Sequence, residues 1–163
     1  MQRSIIGYCQ DDAGDWKAEL DCGHFQHIRH QPPFILRPWS TTPEGRESKL
    51  GQTLHCVLCD EGAFPPSFET YKQTPIFDQN TIPKGLLRAH STKKGVWAKI
   101  VLLEGSLLYT IEGAPPQSTT LTPTAHGVVV PEVEHHVASE GPVRFYVAFY
   151  KKPSSPEQSP HKE

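Results

Sequence analysis

Cys56 and Cys59 frame the tetrapeptide Cys56-Val57-Leu58-Cys59. Well upstream, Cys22-Gly23-His24-Phe25-Gln26-His27-Ile28-Arg29-His30 adds a third thiol and three imidazoles. Tetrahedral zinc takes four Cys or His ligands, commonly as two short-spaced pairs far apart in sequence, so that each pair forms a turn and the ion fastens the turns together. Cys56 and Cys59 make one such pair. Cys22 with a histidine makes the other, and Gly23 permits the tight backbone between them. Spacing alone leaves the histidine open among His24, His27 and His30. His24 is preferred and His27 comes next, because Pro32-Pro33 stiffens the chain just beyond His30. Cys9 lies outside both pairs and reads as a simple packed thiol. A redox reading of Cys56 and Cys59 requires the pair to open a helix after a strand in a thioredoxin-like setting, which Leu54-His55 before it and Asp60-Glu61-Gly62 after it do not suggest.

A metal also answers a shortage of core. Before Asp60 the apolar supply is thin: Trp16, Leu20, Phe25, Ile28, Phe34, Ile35, Leu36, Trp39, Leu50, Leu54 and little else. A module of about 60 residues is marginal on burial alone. Composition shifts at Glu61-Gly62-Ala63-Phe64-Pro65-Pro66, which reads as a linker, so a Cys/His module is expected over residues 1–62. From about Thr70 onward apolar runs alternate with Gly and Pro, the punctuation of an all-β domain expected over residues 68–151. Val143, Phe145, Val147 and Phe149 alternate with Arg144, Tyr146, Ala148 and Tyr150, the period of two of a strand with one buried face. Glu104-Gly105 and Glu112-Gly113 read as turns closing a hairpin around Ser106 to Ile111. Residues 152–163, rich in Pro, Ser, Lys and Glu, are expected to be a disordered tail.

The chain has 163 residues, 36% of them hydrophobic and 21% charged, with a formal net charge of −2. That balance supplies no basic field for nucleic acid or an acidic membrane surface. No stretch approaches the roughly 20 apolar residues needed to cross a bilayer, so a reducing cytoplasm is the expected location.

Two resemblances extend this reading. Gly7-Tyr8, Gln10-Asp11, Asp15-Trp16, Leu20 to His24, Gln26-His27, Arg29-His30, Pro32-Pro33, Arg37-Pro38-Trp39, Glu44-Gly45-Arg46, Leu50-Gly51 and Cys56 to Cys59 resemble a bacterial family of uncharacterised small domains. The resemblance implies a zinc-ribbon-like module with no activity to carry over. His90-Ser91-Thr92-Lys93-Lys94-Gly95-Val96-Trp97, followed by Leu103-Glu104-Gly105, Val130-Pro131 to His135 and Phe145 to Tyr150, resembles the cupin domain associated with tellurite resistance. That domain is found alone or joined to the front of a methyltransferase. The likeness covers about Phe68 to Lys151 and implies an antiparallel double-sheet barrel with a pocket for a metal or small ligand. The fold class expected is therefore mainly β, a small zinc-ribbon-like module followed by a cupin-type barrel.

Metal-binding cupins use two histidines two apart on one strand, a carboxylate on the next, and a later histidine. Here His90 stands in the first place, Thr92 in the second, and the carboxylate position falls near Ala98. The resemblance favours His135 as the later histidine, whereas generic cupin spacing favours His136; neighbours on a strand face opposite ways, so only one can look inward. The pocket residues expected are His90, Thr92, Lys93 and His135, with Lys93 as an anion-binding charge. Trp97 and Tyr109 are either pocket liners or core. The partners expected are zinc in the N-terminal module, a small molecule or anion in the barrel, and a second divalent metal there as the weaker reading. Oligomer formation stays open. The leading functional reading is non-enzymatic metal or small-anion binding, in resistance to tellurite or related oxidative stress. A metal-dependent cupin oxygenase or isomerase is the alternative. Nucleic-acid binding through Arg29, Arg37, Arg46 and Lys49 is the least supported, because Asp11, Asp12, Asp15, Glu19 and Asp21 dilute that charge.

Overall fold

Strands are the commonest regular element of this chain, which the computed structural model describes over residues 1–28 and 37–154. His30 as a candidate ligand, and the tail beyond Ser154, lie outside the described residues. The N-terminal part contains β1 (Gln2–Gln10), β2 (Trp16–Leu20), β3 (Phe25–His27), a 3-10 turn over Pro38–Thr41, α1 (Pro43–Ser48), β4 (Thr53–His55) and the single-turn α2 (Val57–Asp60). Its strands form one antiparallel sheet in the order β3-β2-β1-β4. Thr42 caps α1, its hydroxyl accepting from the Gly45 amide, and Pro43 supplies a preset φ at the first helical position.

The remainder is all strand: β5 (Glu69–Gln73), β6 (Phe77–Asp78), β7 (Trp97–Gly105), β8 (Leu107–Ile111), β9 (Gln117–Leu121), β10 (Gly127–Val129), β11 (His135–Ala138) and β12 (Val143–Lys151). One sheet runs β10-β7-β12-β5, with β6 also on β12; the other runs β11-β8-β9. All pairings are antiparallel. The two sheets curl into a half-barrel around Ala98, Ile100 and Leu102 of β7, Leu107 and Tyr109 of β8, Val137 of β11, and Val143, Phe145 and Val147 of β12.

The alternation read on β12 holds from Val143 to Val147, which are buried at every second position while Arg144 is exposed. It blurs beyond, where Ala148 is buried and Tyr150 is half-buried. The cause is a cover on the outer face: Phe64 packs edge-on against both Tyr150 and Trp97. Consecutive residues Trp97 and Ala98 are both buried for the same reason. Ala98 looks into the half-barrel, and Trp97 joins a second core with Ile5, Leu20, Cys22, Cys56, Cys59, Phe68 and Val130. That second core draws on both parts of the chain.

The hairpin expected around Ser106 to Ile111 needs correction at one end. β8 pairs with β9 across the Glu112-Gly113 turn, but it does not pair with β7. Gly105 instead carries the chain from one sheet to the other. Its φ is +76°, and a Cβ there would stand 2.1 Å from the Pro142 carbonyl oxygen, so only glycine fits.

Candidate metal centre and the adjoining pocket

Two local structures bring sulfur and nitrogen together. The first is the turn from β2 to β3, where the Gly23 amide donates to the Leu20 carbonyl and the Leu20 amide to the His24 carbonyl. Gly23 has φ +88°, and this reversal aims Cys22 and His24 at the same point. A Cβ on Gly23 would lie 2.3 Å from the Phe68 ring, so the position is closed to other residues by conformation and by space. The second is α2, with Cys56 as its N-terminal cap residue and Cys59 one turn on. The Cys56 amide donates to the Met1 carbonyl, tying α2 to the first strand.

Cys22, His24, Cys56 and Cys59 are all buried, and their ligand atoms lie within 4.8 Å of one another. His24 Nδ1 is 3.4 Å from Cys22 Sγ, 3.3 Å from Cys56 Sγ and 3.6 Å from Cys59 Sγ; the Cys22 and Cys56 sulfurs are 3.9 Å apart. A tetrahedron built from Zn–S bonds of about 2.3 Å and a Zn–N bond of about 2.0 Å has edges of roughly 3.8 Å between sulfurs and roughly 3.6 Å from sulfur to nitrogen. The donor set has that size. The far nitrogen of His24, Nε2, donates to the Ala63 carbonyl at 2.7 Å, which fixes the tautomer and leaves the Nδ1 lone pair facing the sulfurs. The arrangement is compatible with a metal site.

Without an ion, the protons on the cluster divide unequally. The Cys59 thiol is pulled down to about 4, chiefly by the hydrogen bond it accepts from Cys22, with His24 and Arg3 adding to the effect. Cys22 is pushed up because it is the donor in that bond and is buried. Cys56 is raised by burial. A cation replacing these shared protons relieves the competition, since thiolates are the ligand form.

His27, expected as the second choice of ligand, stands outside this cluster. It lies on the exposed side of β3, 43% accessible, with Nε2 3.3 Å from Asp11. An odd offset from His24 along a strand turns the ring to the opposite face. Sequence reasoning passed over Ala63 and Arg3, and of the two readings of Trp97, pocket liner or core, the core one holds. Trp97 Nε1 donates to the Cys22 carbonyl at 2.7 Å and its ring meets His24 edge-on. Arg3, only 4% exposed, donates to the Pro131 carbonyl at 2.6 Å and pairs with Glu132 at 3.2 Å. No residue-type signal marks these roles, because each depends on where the half-barrel packs.

The second feature is a cavity of about 370 Å³ inside the half-barrel, lined in part by His90, Thr92, Lys93, Ala98 and His135. His90 and His135 exchange both backbone hydrogen bonds, at 3.0 and 2.8 Å, and their ring centroids are 4.2 Å apart. Thr92 donates to the Val96 carbonyl at 2.6 Å and accepts the Glu132 amide on its own carbonyl. His135 is buried, whereas His136 on the other face of β11 pairs with Glu112. Burial holds His135 below the ordinary imidazole value of 6.5, and the neighbouring His90 pushes in the same direction. Tyr109 meets His135 edge-on, and its hydroxyl donates to the Val128 carbonyl. No carboxylate lines the cavity among the described residues.

Two family models match the chain in tandem. Residues 6–63 match a protein family of unknown function, DUF3565, and residues 72–147 match the TehB-like domain. No curated protein matches. Among solved structures, TehB from Haemophilus influenzae superposes with a TM-score of 0.51 at 26% identity, over 53% of this chain and 32% of that one. A protein from E. coli strain K12 superposes with a TM-score of 0.52 at 22% identity, over 56% of this chain and 97% of that one, and shows the same fold. The chain thus spans about a third of the length of the TehB it matches. Its N-terminal part is similar to the DUF3565 family and the part behind it to the TehB-like domain.

Proposed function

We propose that this is a binding protein in which a zinc ion, held by Cys22, His24, Cys56 and Cys59, fastens together a zinc-ribbon-like module packed against a cupin-type half-barrel whose cavity takes a small anionic ligand. The observation that carries the metal half is the buried Cys3His donor set, with the His24 tautomer fixed by the Ala63 carbonyl. Zinc bound there would crosslink the β2–β3 turn to α2 and supply folding free energy that the sparse N-terminal core lacks. Three thiolates and one imidazole complete a closed tetrahedral shell, the pattern of structural zinc rather than of an open catalytic site.

The anion half rests on a cavity lined by Lys72 and Lys93 and, among the described residues, by no carboxylate. Likeness to TehB suggests a place in resistance to tellurite or related oxidative stress, with the cavity serving for capture or sensing. A metal-dependent oxygenase or isomerase would need a carboxylate where Ala98 lines the cavity, so a second divalent metal in the half-barrel is the weaker reading. Nucleic-acid binding is weaker still: Arg46 lies over the Trp16 ring and donates to the Ser40 carbonyl, which commits it within the module. Element analysis of the purified chain, followed by calorimetric titration with phosphate, selenite, tellurite and small organic acids, tests both halves. About one zinc per chain and saturable anion binding are expected. Absence of tightly held metal contradicts the first half, and absence of any anion binding the second.

A further inference from the structure

The cavity wall is too oily for a bare oxyanion. Ile100, Val129, Val137, Phe145, Val147 and Phe149 all line it. Its 370 Å³ falls in the range of small-molecule sites. A water molecule's share of liquid volume is about 30 Å³, and an inorganic oxyanion amounts to only a few such volumes. It would leave most of the apolar wall facing water. An organic body fills that space and gains the burial of both surfaces.

The two histidines set a second condition. His90 Nδ1 lies 2.8 Å from the Arg88 carbonyl oxygen, and His135 Nδ1 lies 2.9 Å from the Val133 carbonyl oxygen. A carbonyl only accepts, so both Nδ1 atoms carry hydrogen, and the lone pair of a singly protonated ring is at Nε2. Burial lowers the His135 value below the ordinary imidazole 6.5, which favours the uncharged ring. A lone pair repels an anion and calls for a donor. Positive charge comes instead from Lys72 and Lys93, both exposed at the mouth.

Building on the small-anion reading above, we propose that the ligand is a small organic acid with an apolar body and a hydroxyl group beside its anionic head. The hydroxyl donates to an imidazole Nε2, the anionic head meets the lysines, and the body lies on the apolar wall. A site built to hydrogen-bond a hydroxyl rejects the analogue that lacks it, because its own polar groups are then left unpaired.

Calorimetric titration of the full, zinc-loaded chain in buffer free of added divalent ions tests this with matched probes: 2-hydroxy-4-methylpentanoate, 4-methylpentanoate and inorganic phosphate. The hydroxy acid should bind at least tenfold more tightly than either other probe. His135→Phe should erase the preference for the hydroxyl, and Lys93→Met should weaken both organic acids alike. Equal affinity for the two organic acids overturns the proposal, as does hydroxy-acid binding that appears only after a divalent ion is added. If phosphate binds and neither organic acid does, the small-anion reading stands and the ligand class falls. If no anion binds, both fall.

Discussion

The neighbour that decides the chemistry of His24 is the Ala63 carbonyl, which accepts the hydrogen bond from Nε2–H and leaves Nδ1 facing the sulfurs. Cys59→Ser removes one thiolate from the donor set. Zinc loss and a destabilisation of about 4 kcal/mol are expected, the size associated with losing a structural metal, which is roughly a 10 °C fall in Tm for a chain this long. Unchanged zinc content in that variant contradicts the assignment. Gly23→Ala tests the turn itself. With φ at +88° and the Phe68 ring 2.3 Å from the added carbon, a loss of about 2 kcal/mol or more is expected from thermal unfolding. His135 supplies a pH signature. Its folded value is depressed below 6.5, so the unfolded chain binds more protons in the window beneath that value. The stability it contributes is whole above 6.5 and is lost as pH falls toward the folded value. Replacement by Gln should flatten the acid limb of a stability-against-pH curve.

Among the elements, β7 carries the connection between the Cys/His cluster and the cavity. Strand alternation sends Trp97 toward Cys22 and His24 and the next residue, Ala98, into the cavity. Trp97→Phe keeps most of the packing and deletes the hydrogen bond to the Cys22 carbonyl, leaving that buried acceptor unpaired. A loss of about 1–3 kcal/mol is expected, and zinc transfer to a chromogenic chelator should quicken. An unchanged transfer rate would mean that the indole only packs. Much of this was legible in residue types and spacing. Cys22, Cys56 and Cys59 stood out as metal donors because two short-spaced pairs far apart are the zinc pattern, and Val143 to Val147 announced a half-buried strand. The burial of Trp97 against the N-terminal module was not legible, because alternation says which residues share a face and never what covers it. For the same reason Gly105 read as a hairpin turn, although it carries the chain between sheets. The choice of His24 over His27 rests on the reversal at Gly23, which spacing alone left open.

On the scale of the whole molecule the two halves share the second core, and one chain of contacts between them runs to Thr92 of the cavity lining. Arg3 joins β1 to Pro131 and Glu132, the Glu132 amide donates to the Thr92 carbonyl, and Lys94 reaches Asp21 at 3.3 Å beside Cys22. Stripping the metal should therefore loosen residues 92–98 and 131–135 as well as the N-terminal sheet, while the far edge of β8 and β9 keeps its protection. Amide hydrogen exchange with and without chelator reads this directly, and exchange confined to residues before Asp60 would show that the halves respond independently. No helix among the described residues is long and apolar enough to cross a membrane. If zinc sits among Cys22, His24, Cys56 and Cys59, X-ray absorption at the zinc edge of the purified protein will find three sulfur scatterers at about 2.3 Å and one nitrogen at about 2.0 Å; a shell dominated by oxygen or nitrogen, or one with four sulfurs, would rule that centre out.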